Sequence, residues 1–241
     1  MSLWGQIIHL RRAQDRADQV QRLIKAAPCP MEVVDAVDGQ EGPPEMSHYS
    51  AEPIYAPRYP FTLGAGEIAC FLSHRNAWAA IVERRVPGII YEDDTDIDPE
   101  RHGAAVERAR PFVEQLGVVM FQVRQIVSPA DHVAPNLVIP HVAPLRLNTT
   151  LIAPWAAARL HELSNRFDRP VDTFLQMSWV TGIRPAIVQP SGVTEVSAQL
   201  GGSTIQAKRR GLVATVKREI ARPLYRRRVA KASARYREKT L

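Results

Sequence analysis

The 241-residue chain holds only two cysteines, Cys29 and Cys70, far apart and without metal-ligand spacing. That excludes a disulfide framework and a cysteine-built zinc module, and it fits a reducing, cytosolic setting. No run of about 18 apolar residues occurs, so no spanning helix is expected. The opening MSLWGQIIHLRRAQDR reaches its charges after a handful of apolar residues, too soon for the apolar region of a signal peptide. There is no internal repeat, no serine elbow and no paired Cys and His of a nucleophilic triad. A nucleic-acid reader motif and an aromatic-basic stacking surface are also missing, which argues against a specific nucleic-acid partner.

What is present suits one substantial core. Apolar residues make up 45% of the chain, ordinary for a soluble globular protein, and the length fits a single domain of about 200 residues with an appendage. The net charge of +6 hides a split: residues 208–239 carry thirteen Lys/Arg against two Glu, while the remainder has a net charge of −5. The division expected is therefore a body over 1–206 and a basic tail over 207–241. Within the tail Leu212, Val216, Ile220 and Leu224 recur every four residues, and Pro223 is expected to kink or end the first helical stretch. Such a segment either lies on an anionic membrane surface or is simply a solvated basic tail.

Along the body, strands and helices alternate. Residues 6–10 and 31–35 read as strands around a helix over 13–27. Residues 39–63 form a proline-rich segment without sustained period, a long loop of the kind that is functional or mobile. Further helices are expected over 66–85, 99–116, 154–163 and 171–180. Further strands are expected at 89–91, 118–123, 137–139, 149–153 and 186–189. The alternation predicts an α/β fold with a doubly wound sheet.

The most informative stretch is residues 66–94. In GEIACFLSHRNAWAAIVERR, the side chains of Ile68, Phe71, Leu72, Trp78, Ile81 and Val82 share the spacing of one buried helical face. After Pro87-Gly88 comes a short apolar strand ending in Glu92-Asp93-Asp94. Open α/β sheets bind ligands beyond the carboxyl ends of their strands. Adjacent carboxylates repel one another, and hard oxygen donors suit Mg²⁺ or Mn²⁺. An acidic turn facing water is the competing reading.

The order GEIACFLSHRNAW then GIIYEDD closely resembles the family 25 glycosyltransferases, the bacterial lipooligosaccharide and collagen sugar-transferase group. IIHLRRAQDR, VVDAVDG, RPVDTFLQ and GGSTI fit in the same order, so the resemblance spans roughly residues 6–205. One departure is LNTTLIAP, where the family often has a Gly-Thr-x-Ala-Tyr run. The resemblance implies a GT-A-like, Rossmann-type mixed sheet. It also implies inverting transfer of a galactose-like hexose from a UDP sugar to a lipopolysaccharide or other cell-envelope glycan, on the inner face of the cytoplasmic membrane. The partners implied are a nucleotide-sugar donor, a glycan or glycolipid acceptor and an anionic membrane surface reached through residues 208–239. Two alternatives remain: a metal-dependent nucleotidyltransferase or phosphoesterase, and a polyanion-binding protein acting through its basic tail.

Carried over to this chain, the resemblance makes Asp94 the ligand of a divalent Mn or Mg. Glu92 becomes the ribose or additional metal partner, and Asp93 a supporting donor-side acid. Asp96 and Asp98 read as turn residues. Arg11, Arg12 and Arg16 follow the first strand, where guanidinium forks match phosphate oxygens; alternatively Arg16 decorates the first turn of a helix. Asp35 and Asp38 end the second strand, where an acid meets ribose or base. Ser73 and His74 either orient the donor pocket or are satisfied structural groups. Asp172 is the candidate general base for the acceptor hydroxyl; as a favoured capping residue it reads equally as a helix N-cap. Gly201, Gly202 and Ser203 offer backbone NH groups to phosphate or acceptor.

Overall fold

The computed structural model describes residues 2–126, 129–200 and 212–240. Its first half runs β1 (Trp4–His9), α1 (Ala17–Ala26), β2 (Met31–Asp35), α2 (Ala65–Arg84), β3 (Gly88–Glu92), β4 (Thr95–Ile97), α3 (Pro99–Ala109), α4 (Val113–Leu116) and β5 (Val118–Phe121). Then follow β6 (Ala130–Ala134), β7 (Leu137–Pro140), β8 (Thr149–Ile152), α5 (Pro154–Leu163), α6 (Val171–Leu175), α7 (Ser178–Thr181), β9 (Ala186–Val188), β10 (Val193–Glu195) and α8 (Leu212–Thr240).

Eight strands form one sheet in the order β2-β1-β3-β8-β5-β9-β7-β6. β2, β1 and β3 are parallel. β8 runs antiparallel to both β3 and β5, so the sheet is mixed, an α/β architecture consistent with a GT-A-like fold. β8 is buried along its whole length, as a strand covered on both faces must be. β4 and β10 form a separate antiparallel ribbon. Parallel pairing puts the carboxyl ends of the first three strands together: Ile8 lies opposite Glu92, and His9 opposite Asp35. Because β8 runs the other way, its amino end arrives at the same edge, where Glu92 NH donates to the Asn148 carbonyl at 2.9 Å. Four strand ends thus define one rim.

α2 is the packing centre. Ile68, Phe71, Leu72, Trp78 and Ile81 are buried as the periodicity predicts, whereas Val82, in the last turn, is 36% exposed. Phe71 stacks on Phe167 with ring centroids 3.8 Å apart and meets Phe174 edge-on at 5.3 Å, so α2 carries the 167–175 segment. At its start the Glu67 carboxylate accepts from Gly64 NH at 2.8 Å. Arg85, in the left-handed region at φ 58°, ends the helix and turns the chain into β3.

Three expectations are corrected. The helix expected over 171–180 is two short ones, α6 and α7, because Met177 leaves helical geometry at ψ 64°. β4, β6 and β10 were not foreseen; β4 and β10 pair with each other across the fold, whereas β6 forms a local hairpin with β7. Pro223 does not end the tail helix, which runs through it. The ring deprives an exposed turn of one hydrogen bond, and packing beyond it compensates: Tyr225, Val229 and Ser233 are buried at four-residue intervals. The buried stripe of the tail is therefore not the one its apolar spacing suggested. Ile220 is 60% and Leu224 48% exposed, and the side chains of Leu212 and Val216 lie outside those described. Among the described residues no helix is long and apolar enough to cross a membrane.

Candidate active site

The rim opens into a cleft of about 1090 Å³ lined from the β1, β2 and β3 ends, α2, the segment before β8, α6 and α8. The acid triplet forms its floor, and each acid has a different environment. Asp93 is the most fully occupied: its Oδ1 accepts from Arg16 Nη1 at 2.5 Å and its Oδ2 from His9 Nδ1 at 2.9 Å. Asp93 thus ties β1 and the following turn to the end of β3. Glu92 stands 3.3 Å from His74 Nε2 and 3.5 Å from Asn148 Nδ2.

Asp94 is held least. Its nearest cation is Arg16 Nη1, 3.7 Å from Oδ2, and its buried Oδ1 has no hydrogen-bond partner. Burial first, then the charge of Glu92, pushes its carboxyl up to about 7, against the opposing pull of Arg16. A buried carboxylate oxygen without a donor is costly unless a cation or proton occupies it. The backbone carbonyl of Asp94 accepts from Val196 NH at 2.8 Å, so the β4–β10 ribbon fixes the turn that carries it.

Donor atoms of Cys70, His74 and Glu92 also come within 4.8 Å of one another. That mixed sulfur, nitrogen and oxygen set suits a softer ion than Mg²⁺. Burial, however, pushes the Cys70 thiol well above its ordinary value, so the thiolate that a metal needs is disfavoured. Asp94 with Glu92 is the better match to a hard divalent cation.

The arginines after β1 separate. Arg16, buried at 3% exposure, and Arg12 line the cleft; Arg12 Nε donates to Asp38 at 2.5 Å. Asp38 is held below the usual carboxylate range by that bond and by Gln40 NH. Arg11 and Asp35 pair with each other on the solvent side and do not line the cleft. Ser73 is buried in a structural network, accepting from Val37 NH at 2.9 Å and donating to the Ala69 carbonyl at 2.8 Å. Through that bond it fixes the segment that carries Asp38. Ser73 and His74 both line the cleft, and His74, 1% exposed, stands 3.3 Å from Glu92.

Asp172 also lines the cleft. It is not the N-cap, a position occupied by Pro170. Its Oδ1 accepts from Thr173 NH at 2.6 Å and its Oδ2 from Arg146 NH at 3.3 Å. Burial raises its carboxyl above the ordinary value despite these bonds, and Glu92 adds to the rise. Asp98 is a helix cap, accepting from Arg101 NH at 3.1 Å; Asp96, expected in a turn, instead lies in β4, opposite Thr194, and takes a long 3.4 Å bond from Gln19. Gly201, Gly202 and Ser203 lie outside the described residues.

Sequence reasoning missed several contributors. Asn148, inside the departing LNTT segment, contacts Glu92. Arg169 is fully buried; it pairs with Asp168 at 2.7 Å and donates to the Tyr55 carbonyl at 2.8 Å and the Tyr225 hydroxyl at 3.0 Å. It thereby joins the long loop, α6 and α8. Its one visible signal was its place at the head of RPVDTFLQ.

Residues 6–117, which hold the strand ends, α2 and the acid triplet, match the family described as "Glycosyltransferase family 25 (LPS biosynthesis protein)". This segment is similar to glycosyltransferase family 25. Similar curated proteins include procollagen galactosyltransferase 2 of Mus musculus, 31% identical over 93 residues, covering 36% of this chain and 15% of that protein. Another is the inactive glycosyltransferase 25 family member 3 of Mus musculus, 29% identical over 177 residues, covering 68% of this chain and 30% of that protein. The chain thus spans less than a third of the length of these family 25 relatives. One of them is named inactive, so this likeness alone does not decide activity; the residues of the cleft must. Among solved structures, that titled "Crystal Structure of A197 from STIV" aligns over 79% of this chain and 83% of its own at 11% identity, with a TM-score of 0.39, too low to bear on the fold.

Proposed function

We propose that the chain is an inverting glycosyltransferase that moves a galactose-like hexose from a UDP sugar to a cell-envelope glycan such as lipopolysaccharide. The observation that carries this reading is the partnerless buried Oδ1 of Asp94, at the end of β3 on the segment similar to family 25, facing a cleft that also holds Asp172. Asp94, assisted by Glu92, has the donor chemistry to hold a divalent Mn or Mg. Such an ion, when bound, supplies positive charge that stabilises a departing diphosphate.

The chain's own residues divide the remaining work. Arg12 and Arg16 face the phosphates from the β1 end, and Asp38 is within the region where ribose or base would lie. Asp93 keeps Arg16 in place. Asp172 takes the proton of the acceptor hydroxyl as that oxygen attacks the anomeric carbon. Its raised carboxyl makes it a stronger base than an ordinary aspartate, closer to the pH at which it works. One displacement inverts the anomeric centre, and no enzyme nucleophile is needed.

The outward face of α8 supports peripheral attachment to an anionic membrane from the cytoplasmic side. Exposed Ile220 and Leu224 lie among the exposed Arg227, Arg228, Lys231 and Arg235, the composition of a helix lying in a membrane interface. A mildly acidic body gives no corresponding reason to bind nucleic acid. The deciding experiment is a screen of nucleotide sugars for hydrolysis and transfer, with and without Mn²⁺. Release of nucleoside diphosphate is expected. Release of nucleoside monophosphate would instead favour attack on phosphorus, and no turnover of any donor would sink the reading.

A further inference from the structure

The tail helix has two charged faces, and one of them belongs to the cleft. Arg222, Tyr225, Arg226 and Val229 line it. The helix is pinned there by Tyr225, whose hydroxyl accepts from buried Arg169 at 3.0 Å and whose ring meets Tyr59 edge-on at 5.4 Å. Tyr59 feels the charges of both Asp172 and Arg222, so α8 stands beside the candidate base rather than beside the acid triplet alone. Arg222 and Arg226 are exposed, and among the described residues neither has an acidic partner. By contrast Arg12 is committed to Asp38, Arg16 to Asp93 and Arg146 to Glu195. The cleft, at about 1090 Å³, slightly exceeds the range of about 300–1,000 Å³ usual for one ligand. Two guanidinium groups without an acidic partner therefore line the same cleft as Asp172.

We propose that α8 forms the acceptor-side wall of the cleft, with Arg222 and Arg226 binding an anionic group, phosphate or carboxylate, on the acceptor. The inference rests on the transferase reading and assigns the chemical class of its second substrate. Guanidinium pairs favour such oxyanions through bidentate, charge-assisted bonds. One helix then has two roles: the cleft-facing arginines select an anionic acceptor, and the outward cations meet the membrane.

The test titrates inorganic phosphate into the full chain while saturating UDP fills the donor half. Wild type is expected to bind phosphate alongside UDP. Arg222→Gln/Arg226→Gln should weaken phosphate by about tenfold or more, the loss of exposed charge-assisted contacts, with UDP affinity and melting midpoint unchanged. Arg222→Lys/Arg226→Lys should retain much of the binding, and Arg227→Gln/Arg228→Gln all of it. Phosphate that is displaced by UDP, that does not bind wild type, or that is indifferent to the double Gln variant would overturn the proposal. A double Gln variant that keeps phosphate but no longer sediments with phosphatidylglycerol–phosphatidylcholine vesicles would also overturn it, placing the two arginines against lipid. Absence of UDP binding with Arg222- and Arg226-dependent phosphate binding intact would count against the transferase reading and leave the anion site standing.

Discussion

Arg16 donates to Asp93 across 77 residues of sequence, from the turn after β1 to the end of β3, at 2.5 Å. The same guanidinium nitrogen is 3.7 Å from Asp94. One arginine thus neutralises the middle acid of the triplet and leaves the last one under-compensated. This asymmetry leaves one acid paired with a cation and the other with a buried oxygen that has no partner.

Without metal, stability should fall as pH rises from about 4 to about 7. Asp94 has an ordinary value of 3.8 and is raised to about 7 in the folded chain, so over that interval the folded state binds the extra proton and the slope of stability against pH is negative. Mn²⁺ competes with that proton. Thermal melting in chelator should therefore decline across this window, and added Mn²⁺ should raise the midpoint more at pH 8 than at pH 5. An equal Mn²⁺ effect at both values would remove Asp94 from the site.

Asp94→Asn removes the buried charge while keeping shape. In chelator at pH 8 it should melt no lower than wild type, because the disfavoured carboxylate is gone. Nucleotide-sugar turnover should be lost together with the Mn²⁺-dependent rise in melting temperature. Retained turnover would reject the metal role.

Asp172→Asn should keep donor affinity and lower turnover by about 10² to 10⁴-fold. Asp172 does not cap α6, so no cap is lost, and the melting midpoint should change little. A stability loss without a kinetic one would make the residue structural.

Arg169 is fully buried against Asp168. Arg169→Leu should destabilise the fold by about 3–5 kcal/mol, the cost of leaving one buried charge without its partner. Tyr225→Phe removes only one hydrogen bond to that hub and should cost about 1 kcal/mol. Denaturant melts of the two variants measure both. Equal effects would show that docking of α8, rather than the buried pair, dominates.

Much of this molecule was legible in the chain itself. α2 announces itself through apolar spacing, because a helix caught between a sheet and other helices needs buried residues around much of its circumference. β3 does so through a short apolar run broken by Gly88 and ended by acids, and the basic tail through charge alone. Local patterns suffice there because the forces involved act between near neighbours in sequence. The mixed direction of the sheet, the partition of Glu92, Asp93 and Asp94 into different roles, and the separation of Arg11 from Arg12 and Arg16 were not so determined. Each depends on what arrives from a distant segment: Asn148 on β8's amino end, Arg16 from the β1 turn, Asp38 from the β2 turn. The tail shows the same division. Sequence spacing marks Ile220 and Leu224 as an apolar stripe, yet Tyr225 and Val229 are the residues that dock, because Arg169 and Tyr59 lie where they can meet them. Composition states what a segment is able to bury; only the assembled surfaces decide which face finds a partner.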